Sequence, residues 1–463
     1  MRRLLLLLPA ALVACSSGGG STHPAAPSNT SSSTSSSTSE AASAPEAASA
    51  VRDWPTYHGD LRRSGTATMP TPTKLAVRAK VRLDAAVYAS PVVAAGITVV
   101  ATEANSVYGL DGSGHQLWRA RLGSPAKRSE LPCGNIDPLG ITGTPAYDKA
   151  SGLVYLVAEH GSPVSHELVA LSAKTGKVAW RKSVDLPGVE TKAMQERGAL
   201  TFAQGKVWVP FGGLAGDCGG YKGRVVGVPL DGKGSAVAYT VPTPREGGIW
   251  TPPGPSVDSA GNLYVAVGNG ENGPGSAYDY SDSILQLRGT TLVGSYSPST
   301  WAADNAADLD LGSQGPALVG SEWIFTAGKS GTAYVVRQRA LGGIGAEVSS
   351  AKVCRSFGGT AVVASTVYVP CADGLRAVSI RSNGKLSLGW HAASGTTGSP
   401  VVAGNRVWSL DPGAGVLHAL DPRSGRSLSQ VAVGTTTRFA TPAVRGTDLL
   451  VPTTSGLTIV RTR

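Results

Sequence analysis

The stretch ASPVVAAGITVVATEANSVYGLDGSGHQLWRARL, Ala89 to Leu122, decides the fold, because related versions of it recur along the chain. One version is GTPAYDKASGLVYLVAEHGSPVSHELVALSAKTGKVAWRKSV, Gly143 to Val184. Another is GSPVVAGNRVWSLDPGAGVLHALDPRSGRSLSQVAV, Gly398 to Val433. Each follows the order strand, turn, strand, loop, strand, glycine turn, strand. The repetition therefore predicts an all-β chain of similar four-stranded units.

The units are counted from their first strands, and each unit is roughly 40 to 60 residues long. Eight such strands begin near Ser90, Thr144, Ala199, Pro255, Gly315, Gly359, Ser399 and Thr441. The last unit, ATPAVRGTDLLVPTTSGLTIVRTR, ends after three strands, and the stretch KLAVRAKVRL, Lys74 to Leu83, has the pattern of the missing fourth. Pairing these two ends would close a ring and remove the exposed edges of an open sheet.

Two motifs resemble those of the pyrroloquinoline quinone (PQQ) repeat family. ALSAKTGKVAW, Ala170 to Trp180, is similar to the family's docking motif, although Ser172 stands where the family has Asp. DWPTYHGDLRRSG, Asp53 to Gly65, is similar to the start of many PQQ-like propellers. The resemblance covers nearly all of residues 51–463 and implies an eight-bladed β-propeller of four-stranded antiparallel blades, closed by an N-terminal strand. Quinoprotein alcohol dehydrogenases share this architecture with the propeller lipoprotein of the outer-membrane assembly machinery.

The first 50 residues predict an export signal and a tether. MRRLLLLLPAALVAC has a short basic region and an apolar run too short to span a bilayer, and its end resembles a bacterial lipobox. We therefore expect residues 1–14 to be a lipoprotein signal peptide and Cys15 to carry membrane lipid. Residues 15–50 are rich in Ser, Thr, Ala and Pro, which predicts a disordered tether. The expected location is extracytoplasmic, anchored to the bacterial cell membrane.

The charge pattern argues against nucleic acid as a partner. The chain has 41 Lys and Arg against 31 Asp and Glu, a formal net charge of +10, but the basic residues are scattered singly. No basic run and no interleaving of basic and aromatic residues marks a nucleic-acid surface. We expect a monomer that binds no nucleic acid.

Four cysteines remain when Cys15 is assigned to lipid: Cys133, Cys218, Cys354 and Cys371. An even number in an exported domain predicts two disulfides, for which three connectivities are possible. In the implied propeller, loops after the second and fourth strands of a blade open on one face, and all four cysteines fall on that face. The expected pairs are Cys133–Cys218 between blades and Cys354–Cys371 within one blade.

The same face, which we call the long-loop face, carries the long insertions Ser124 to Leu139, Gly270 to Ser281 and Ser299 to Leu311. Long loops on a rigid scaffold carry function more often than the scaffold does. We therefore expect an envelope protein or a small ligand to bind there.

WAADNAADLDLGSQGP, Trp301 to Pro316, is an acidic connection that leads into the inner strand of the fifth unit. Quinoproteins hold calcium over the channel mouth with carboxylate and amide oxygens, and calcium is a hard cation that prefers such ligands. By position, Asp304, Asp308, Asp310 and Asn269 are candidate metal ligands. The alternative is a solvated acidic loop that hydrogen-bonds to its own backbone.

Four further residues are candidates for binding PQQ on the long-loop face. Trp250 and Trp301 are candidate stacking surfaces, with blade packing as the alternative role. Arg197 and Arg438 precede inner strands, where their guanidinium groups could meet the carboxylates of PQQ. Quinoprotein alcohol dehydrogenases typically also use two adjacent cysteines, and this chain has none.

Two hypotheses follow. The first is a lipid-anchored, extracytoplasmic binding or assembly module of the cell envelope. The second is a quinoprotein oxidoreductase that oxidises an alcohol or a sugar with PQQ and calcium, in which Asp304 or Asp310 is the catalytic base. The fold alone cannot choose between them.

Overall fold

Eight blades surround a central channel in the computed structural model, which describes residues 51–393 and 395–463. The predicted propeller of four-stranded antiparallel blades is thereby confirmed. The expected signal peptide, lipidated Cys15 and tether lie outside the described residues. Within the described part, no helix is long and apolar enough to cross a membrane.

The strands of blades 1 to 4 are given from the channel outward. Blade 1 consists of Val92–Ala94, Ile97–Ala101, Ser106–Leu110 and Gln116–Arg121. Blade 2 consists of Ala146–Asp148, Leu153–His160, Ser165–Ser172 and Val178–Ser183. Blade 3 consists of Thr201–Ala203, Lys206–Gly213, Arg224–Pro229 and Val237–Thr240. Blade 4 consists of Ser256–Val257, Leu263–Val267, Ser283–Arg288 and Thr291–Ser297.

Blades 5 to 8 follow the same order. Blade 5 consists of Ala317–Val319, Trp323–Ala327, Thr332–Arg337 and Ser349–Lys352. Blade 6 consists of Ala361–Val363, Thr366–Val369, Arg376–Ile380 and Leu386–His391. Blade 7 consists of Val401–Ala403, Arg406–Asp411, Val416–Leu420 and Ser427–Ala432. Blade 8 consists of Ala443–Arg445, Asp448–Thr453, Gly456–Thr462 and Leu75–Arg82.

A few short elements complete the described fold. Two-residue strands extend blades 7, 3 and 4; they are Thr66–Ala67, Met194–Gln195 and Gly343–Ile344. The α-helix is Trp301–Ala306, and the 3₁₀ helices are Tyr57–Gly59, Arg128–Glu130, Thr191–Ala193 and Leu311–Ser313.

The ring closes through the N-terminal strand, as the sequence predicts. Leu75–Arg82 pairs antiparallel with Gly456–Thr462, the last strand of the chain. Val81 of the closing strand packs toward the third-to-fourth-strand turn of blade 1, where a Cβ on Gly114 would lie 2.6 Å from a Val81 methyl group. Closure therefore leaves no gap between blades 8 and 1.

Neighbouring blades dock through a tryptophan and a glycine turn. Trp118 of blade 1 packs on the turn of blade 2, where a Cβ on Gly176 would lie 2.4 Å from its ring. Gly176 has a φ of +68°, which glycine adopts without steric cost. The ring nitrogen of Trp118 donates a hydrogen bond to the Ala173 carbonyl at 3.1 Å. Trp180 of blade 2 packs on Gly232 of blade 3 in the same way, so the repeated motif forms the blade interface.

The segment from Trp54 to Ala67 joins the inner strands of all eight blades. It lies at the channel end opposite the long-loop face, beside the first-to-second-strand turn at Gly446. Inner strands of two or three residues would otherwise present unpaired backbone groups to the channel. Its hydrogen-bond partners in blades 1 to 8 are Val93, Tyr147, Leu200, Val257, Leu318, Val362, Val402 and Thr441.

Arg63 is the most heavily bonded side chain of this central segment. It is 4% exposed, and it donates hydrogen bonds to the carbonyls of Leu200 at 3.0 Å and Pro255 at 3.2 Å. It also donates to the Thr56 hydroxyl at 2.8 Å. One guanidinium group thus links the central segment to blades 3 and 4.

We predict that Arg63→Ala lowers the free energy of unfolding by about 3 kcal/mol or more, because it leaves several buried acceptors unsatisfied. Arg52→Ala is the matched control. Arg52 is an exposed arginine just ahead of the segment, and its loss should cost about 0.5 kcal/mol or less. Urea unfolding followed by tryptophan fluorescence measures both. Equal losses for the two variants would contradict the central role of Arg63.

Candidate functional site

A pocket of about 600 Å³ occupies the channel mouth on the long-loop face. Its wall comes from two kinds of segment: those that precede inner strands and those that follow second strands. It gathers six of the eight candidate binding residues, namely Arg197, Trp250, Asn269, Asp308, Asp310 and Arg438. These six residues therefore meet on the long-loop face, where the sequence predicts them.

Trp301 and Asp304 do not line this pocket. Both belong to the α-helix Trp301–Ala306, where the sequence suggests an acidic loop. Trp301 is buried, and its ring lies 5.2 Å from that of Tyr278, so it has a packing contact. The Asp304 carboxylate accepts a hydrogen bond from the Thr300 hydroxyl at 2.6 Å.

One wall of the pocket is aromatic and basic. The Arg438 guanidinium carbon lies 3.9 Å from the ring centre of Phe357 and 5.7 Å from that of Phe439. Arg197 lies 5.8 Å from the Phe439 ring, on which Trp250 packs edge-on at 6.2 Å. These are distances at which cations and aromatic rings attract each other.

Neither arginine of this wall has a carboxylate partner among the described residues. Burial lowers the pKa of Arg197, and burial together with nearby Arg355 lowers that of Arg438. Each still keeps its charge at neutral pH, because an arginine guanidinium is not deprotonated in proteins. The wall is therefore suited to an anionic group, with flat apolar surface beside it.

Another part of the pocket wall is an ion-paired cluster around Lys329. The Lys329 ammonium lies 2.6 Å from an Asp308 oxygen and 2.5 Å from an Asp310 oxygen. The backbone N–H of Asn269 donates to Asp310 at 2.5 Å, and its side-chain amide donates to Asp308 at 2.8 Å. Burial raises the pKa of Asp310, although Lys329 opposes that rise. The cluster joins blade 4 to blade 5.

Several pocket residues escape the sequence analysis, among them Lys329, Tyr88, Phe357 and Phe439. A positional signal could have identified the aromatic ones. Tyr88, Phe357 and Phe439 each stand four residues ahead of an inner strand, since those strands begin at Val92, Ala361 and Ala443. Arg197 holds the same position ahead of Thr201. Lys329 follows the second strand of blade 5 by two residues, as Asn269 follows that of blade 4.

Both expected disulfides are present. Cys133 is bonded to Cys218, and Cys354 is bonded to Cys371. The first bond lies at the pocket rim, where a Cβ on Gly216 would lie 3.5 Å from the Cys133 sulfur. It ties the insertion after blade 1 to the loop of blade 3, so it holds two parts of the rim together.

Buried carboxyl groups lie behind Arg197. Glu103 is 1% exposed and accepts hydrogen bonds from the Gly140 backbone at 2.7 Å and the Thr142 hydroxyl at 3.0 Å. Burial raises the pKa of Glu103 to about 8, and the charge of Glu159 adds to that rise. Glu103 is therefore largely protonated near neutral pH.

Within residues 51–393 and 395–463, no three or more His, Cys, Asp or Glu side chains are grouped so that they could hold a metal ion. The candidate metal ligands in the pocket are two carboxylates and one amide, all within the Lys329 cluster. Calcium takes six to eight oxygen ligands. The calcium site stays a prediction.

Comparisons with known proteins place the fold. A family model described as outer membrane protein assembly factor BamB matches residues 63–307. The crystal structure of BamB from Moraxella catarrhalis is 18% identical, covers 84% of this chain and 98% of its own, and has a TM-score of 0.56. That of quinohemoprotein alcohol dehydrogenase from Comamonas testosteroni is 17% identical, covers 89% and 80%, and has a TM-score of 0.66. No curated protein sequence matches. At such identities the structural likeness shows the fold alone.

We predict that Glu103→Gln stabilises the protein increasingly as pH rises from about 5 to 8. Because its pKa is raised, Glu103 keeps its proton in the folded chain over this interval. In the unfolded chain the same carboxyl group has its ordinary pKa of 4.5 and releases the proton. The stability of the wild type therefore falls as pH rises. A glutamine does not titrate, and the gain should reach about 3–5 kcal/mol.

Urea unfolding at several pH values measures this gain. Glu322→Gln, at an exposed position, is the control and should leave the pH dependence unchanged. A Glu103→Gln effect that is constant with pH would show that Glu103 does not hold the extra proton.

Proposed function

Because the chain belongs to the family described as outer membrane protein assembly factor BamB, we propose that it is an extracytoplasmic binding module of the cell envelope. In this proposal Cys15 carries the lipid anchor, residues 15–50 are the tether, and the propeller receives its ligand at the channel mouth. Two disulfides support an oxidising location, because such bonds persist outside the cytoplasm.

The observation that carries the proposal is the pair of unpaired arginines beside aromatic rings in the pocket. Arg197 and Arg438 face a cavity of about 600 Å³ without a carboxylate among the described residues to neutralise them. An anionic group of an envelope protein or of a small ligand would supply the missing partner. The rings of Phe357, Phe439 and Trp250 would contact the apolar part of the same ligand.

The geometry supports binding more than catalysis. Asp310, the candidate base in the pocket, is ion-paired with Lys329 and hydrogen-bonded to the Asn269 backbone. One oxygen of this carboxylate accepts the Asn269 N–H and the other contacts the Lys329 ammonium, so a substrate proton would have to compete for either oxygen. Rigid loops tied by the Cys133–Cys218 bond suit a preformed binding surface.

The module predicts a partner at the pocket rim. A photo-crosslinking amino acid at Asn135, an exposed rim residue, should capture an envelope protein in cells. The same amino acid at Leu428, on the outer strand of blade 7, should not. Arg438→Glu should lower the Asn135 cross-link about tenfold or more, since a charged hydrogen bond contributes about 1.5–3 kcal/mol.

Arg423→Glu makes the same charge change at an exposed turn of blade 7 and is the matched control. It should leave the cross-link intact. Cross-links that are equally strong at Leu428, or that are insensitive to Arg438→Glu, would contradict binding at the pocket.

The second candidate is a quinoprotein oxidoreductase that uses PQQ and calcium on an alcohol or a sugar. The observation that favours it is the meeting of Trp250, Arg197 and Arg438 in one pocket, which fits a flat molecule with several carboxylates. PQQ would supply a quinone that accepts two electrons. Calcium does not fit the residues as they stand, because the Lys329 ammonium occupies both Asp308 and Asp310.

A titration of the purified full-length protein with PQQ and calcium separates the two candidates. Under the module proposal we expect no dye-linked oxidation of an alcohol and sugar panel. Saturable quenching of tryptophan fluorescence with turnover, both lost in Asp310→Ala, would establish the oxidoreductase instead. Asp304→Ala is the matched control, because Asp304 bonds to Thr300 away from the pocket.

A further inference from the structure

We propose that Lys329 takes the place of a metal ion between Asp308 and Asp310, so that the pocket receives its ligand without a divalent cation. The inference concerns the same pocket as the proposed function and rests on that pocket being the ligand site. It adds a specificity-determining residue that the sequence motifs do not indicate.

The ammonium group of Lys329 lies where a metal ion would lie. Its nitrogen lies 2.6 Å from Asp308 and 2.5 Å from Asp310, which are also the distances at which calcium holds oxygen ligands. A metal ion at the same position between these two oxygens would overlap the ammonium. Metal binding at that position would therefore require Lys329 to leave.

Lys329 is held at both its backbone and its side-chain end. Its backbone N–H donates to the Asp310 carbonyl at 2.9 Å, while its ammonium contacts the carboxylate of the same residue. The backbones approach closely, since a Cβ on Gly328 would lie 2.3 Å from that carbonyl oxygen. The side chain is 16% exposed. This double attachment makes departure of the ammonium costly.

The charges around the site also oppose a metal ion. The Lys329 ammonium lies between two carboxylates, and both contacts favour its charged form. The positive charge of Arg355 acts on Asp308 as well. An incoming divalent cation would meet two positive groups around two carboxylates.

The ammonium also has a donor left for a ligand. It carries three N–H groups, and two are used by the carboxylates. Lys329 lines the pocket, so the third N–H can donate to a carbonyl or hydroxyl oxygen of the ligand. An anionic oxygen would be repelled there by Asp308, which directs the anionic end of the ligand toward Arg197 and Arg438.

Terbium luminescence tests the inference, with Tb³⁺ as the probe for a calcium site. Trp250 lies beside Asp310, because a Cβ on Gly268 would lie within 3.0 Å of both side chains. Trp250 would therefore sensitise the luminescence of a Tb³⁺ ion bound at Asp310. The wild-type full-length protein should show no saturable signal. Lys329→Met should gain one, since it frees two carboxylates and leaves the buried Asn269 oxygen, which has no hydrogen-bond partner.

Three variants sharpen the test. Lys329→Arg keeps the positive charge and should show no saturable Tb³⁺ luminescence. Lys352→Met, at an exposed lysine of blade 5, should show none either. Adding Asp310→Asn to Lys329→Met should abolish the gained signal. Saturable wild-type binding that is lost in Asp310→Asn would overturn the inference, as would a folded Lys329→Met variant that binds no Tb³⁺.

Thermal unfolding shows whether each variant is folded, and the wild-type titration stands even if Lys329→Met is not. The readout is metal binding without any ligand. It therefore separates this inference from the proposed function: if the wild-type protein formed no cross-link at Asn135, the binding module would be refuted and the role of Lys329 would stay intact.

Discussion

The whole ring depends on how the backbone edges of its innermost strands are satisfied. These strands have two or three residues each, too few to be stable alone, and their inner edges face the channel. The segment from Trp54 to Ala67 supplies hydrogen bonds to all eight blades, so one stretch of chain fixes eight sheets around one axis. Because it fills the end opposite the long-loop face, the other end is left to hold a pocket.

Most of this fold could be predicted from the sequence, because its repeated interface is local in sequence. Trp118, Trp180 and the Gly176 turn recur at the same positions of the repeat. These positions form the contacts between neighbouring blades. Ring closure was predictable because the last unit lacks a strand that residues 74–83 supply. The central segment was recognisable as a motif, but its contacts with every blade were not, because they join residues up to 383 positions apart.

The site was only partly predictable, because it too depends on contacts between residues that are far apart in the sequence. Sorting loops by face was enough to select Arg197, Trp250, Asp310 and Arg438, since the face follows from strand order. Spacing within WAADNAADLD does not show that Asp304 lies outside the pocket, where the first six residues form a helix and its carboxylate accepts a hydrogen bond from Thr300. Lys329, Phe357 and Phe439 each look ordinary in sequence, and only the ring brings them together.

The two walls of the pocket differ in how their charge is balanced, and that difference constrains the ligand. Arg197 and Arg438 have no carboxylate partner among the described residues, while Asp308 and Asp310 already share Lys329. Burial keeps the nearby Glu103 largely protonated. A ligand therefore gains most from an anionic group at the arginines and a neutral oxygen at the lysine, with apolar surface between them. A uniformly anionic or a cationic molecule would leave one wall unsatisfied.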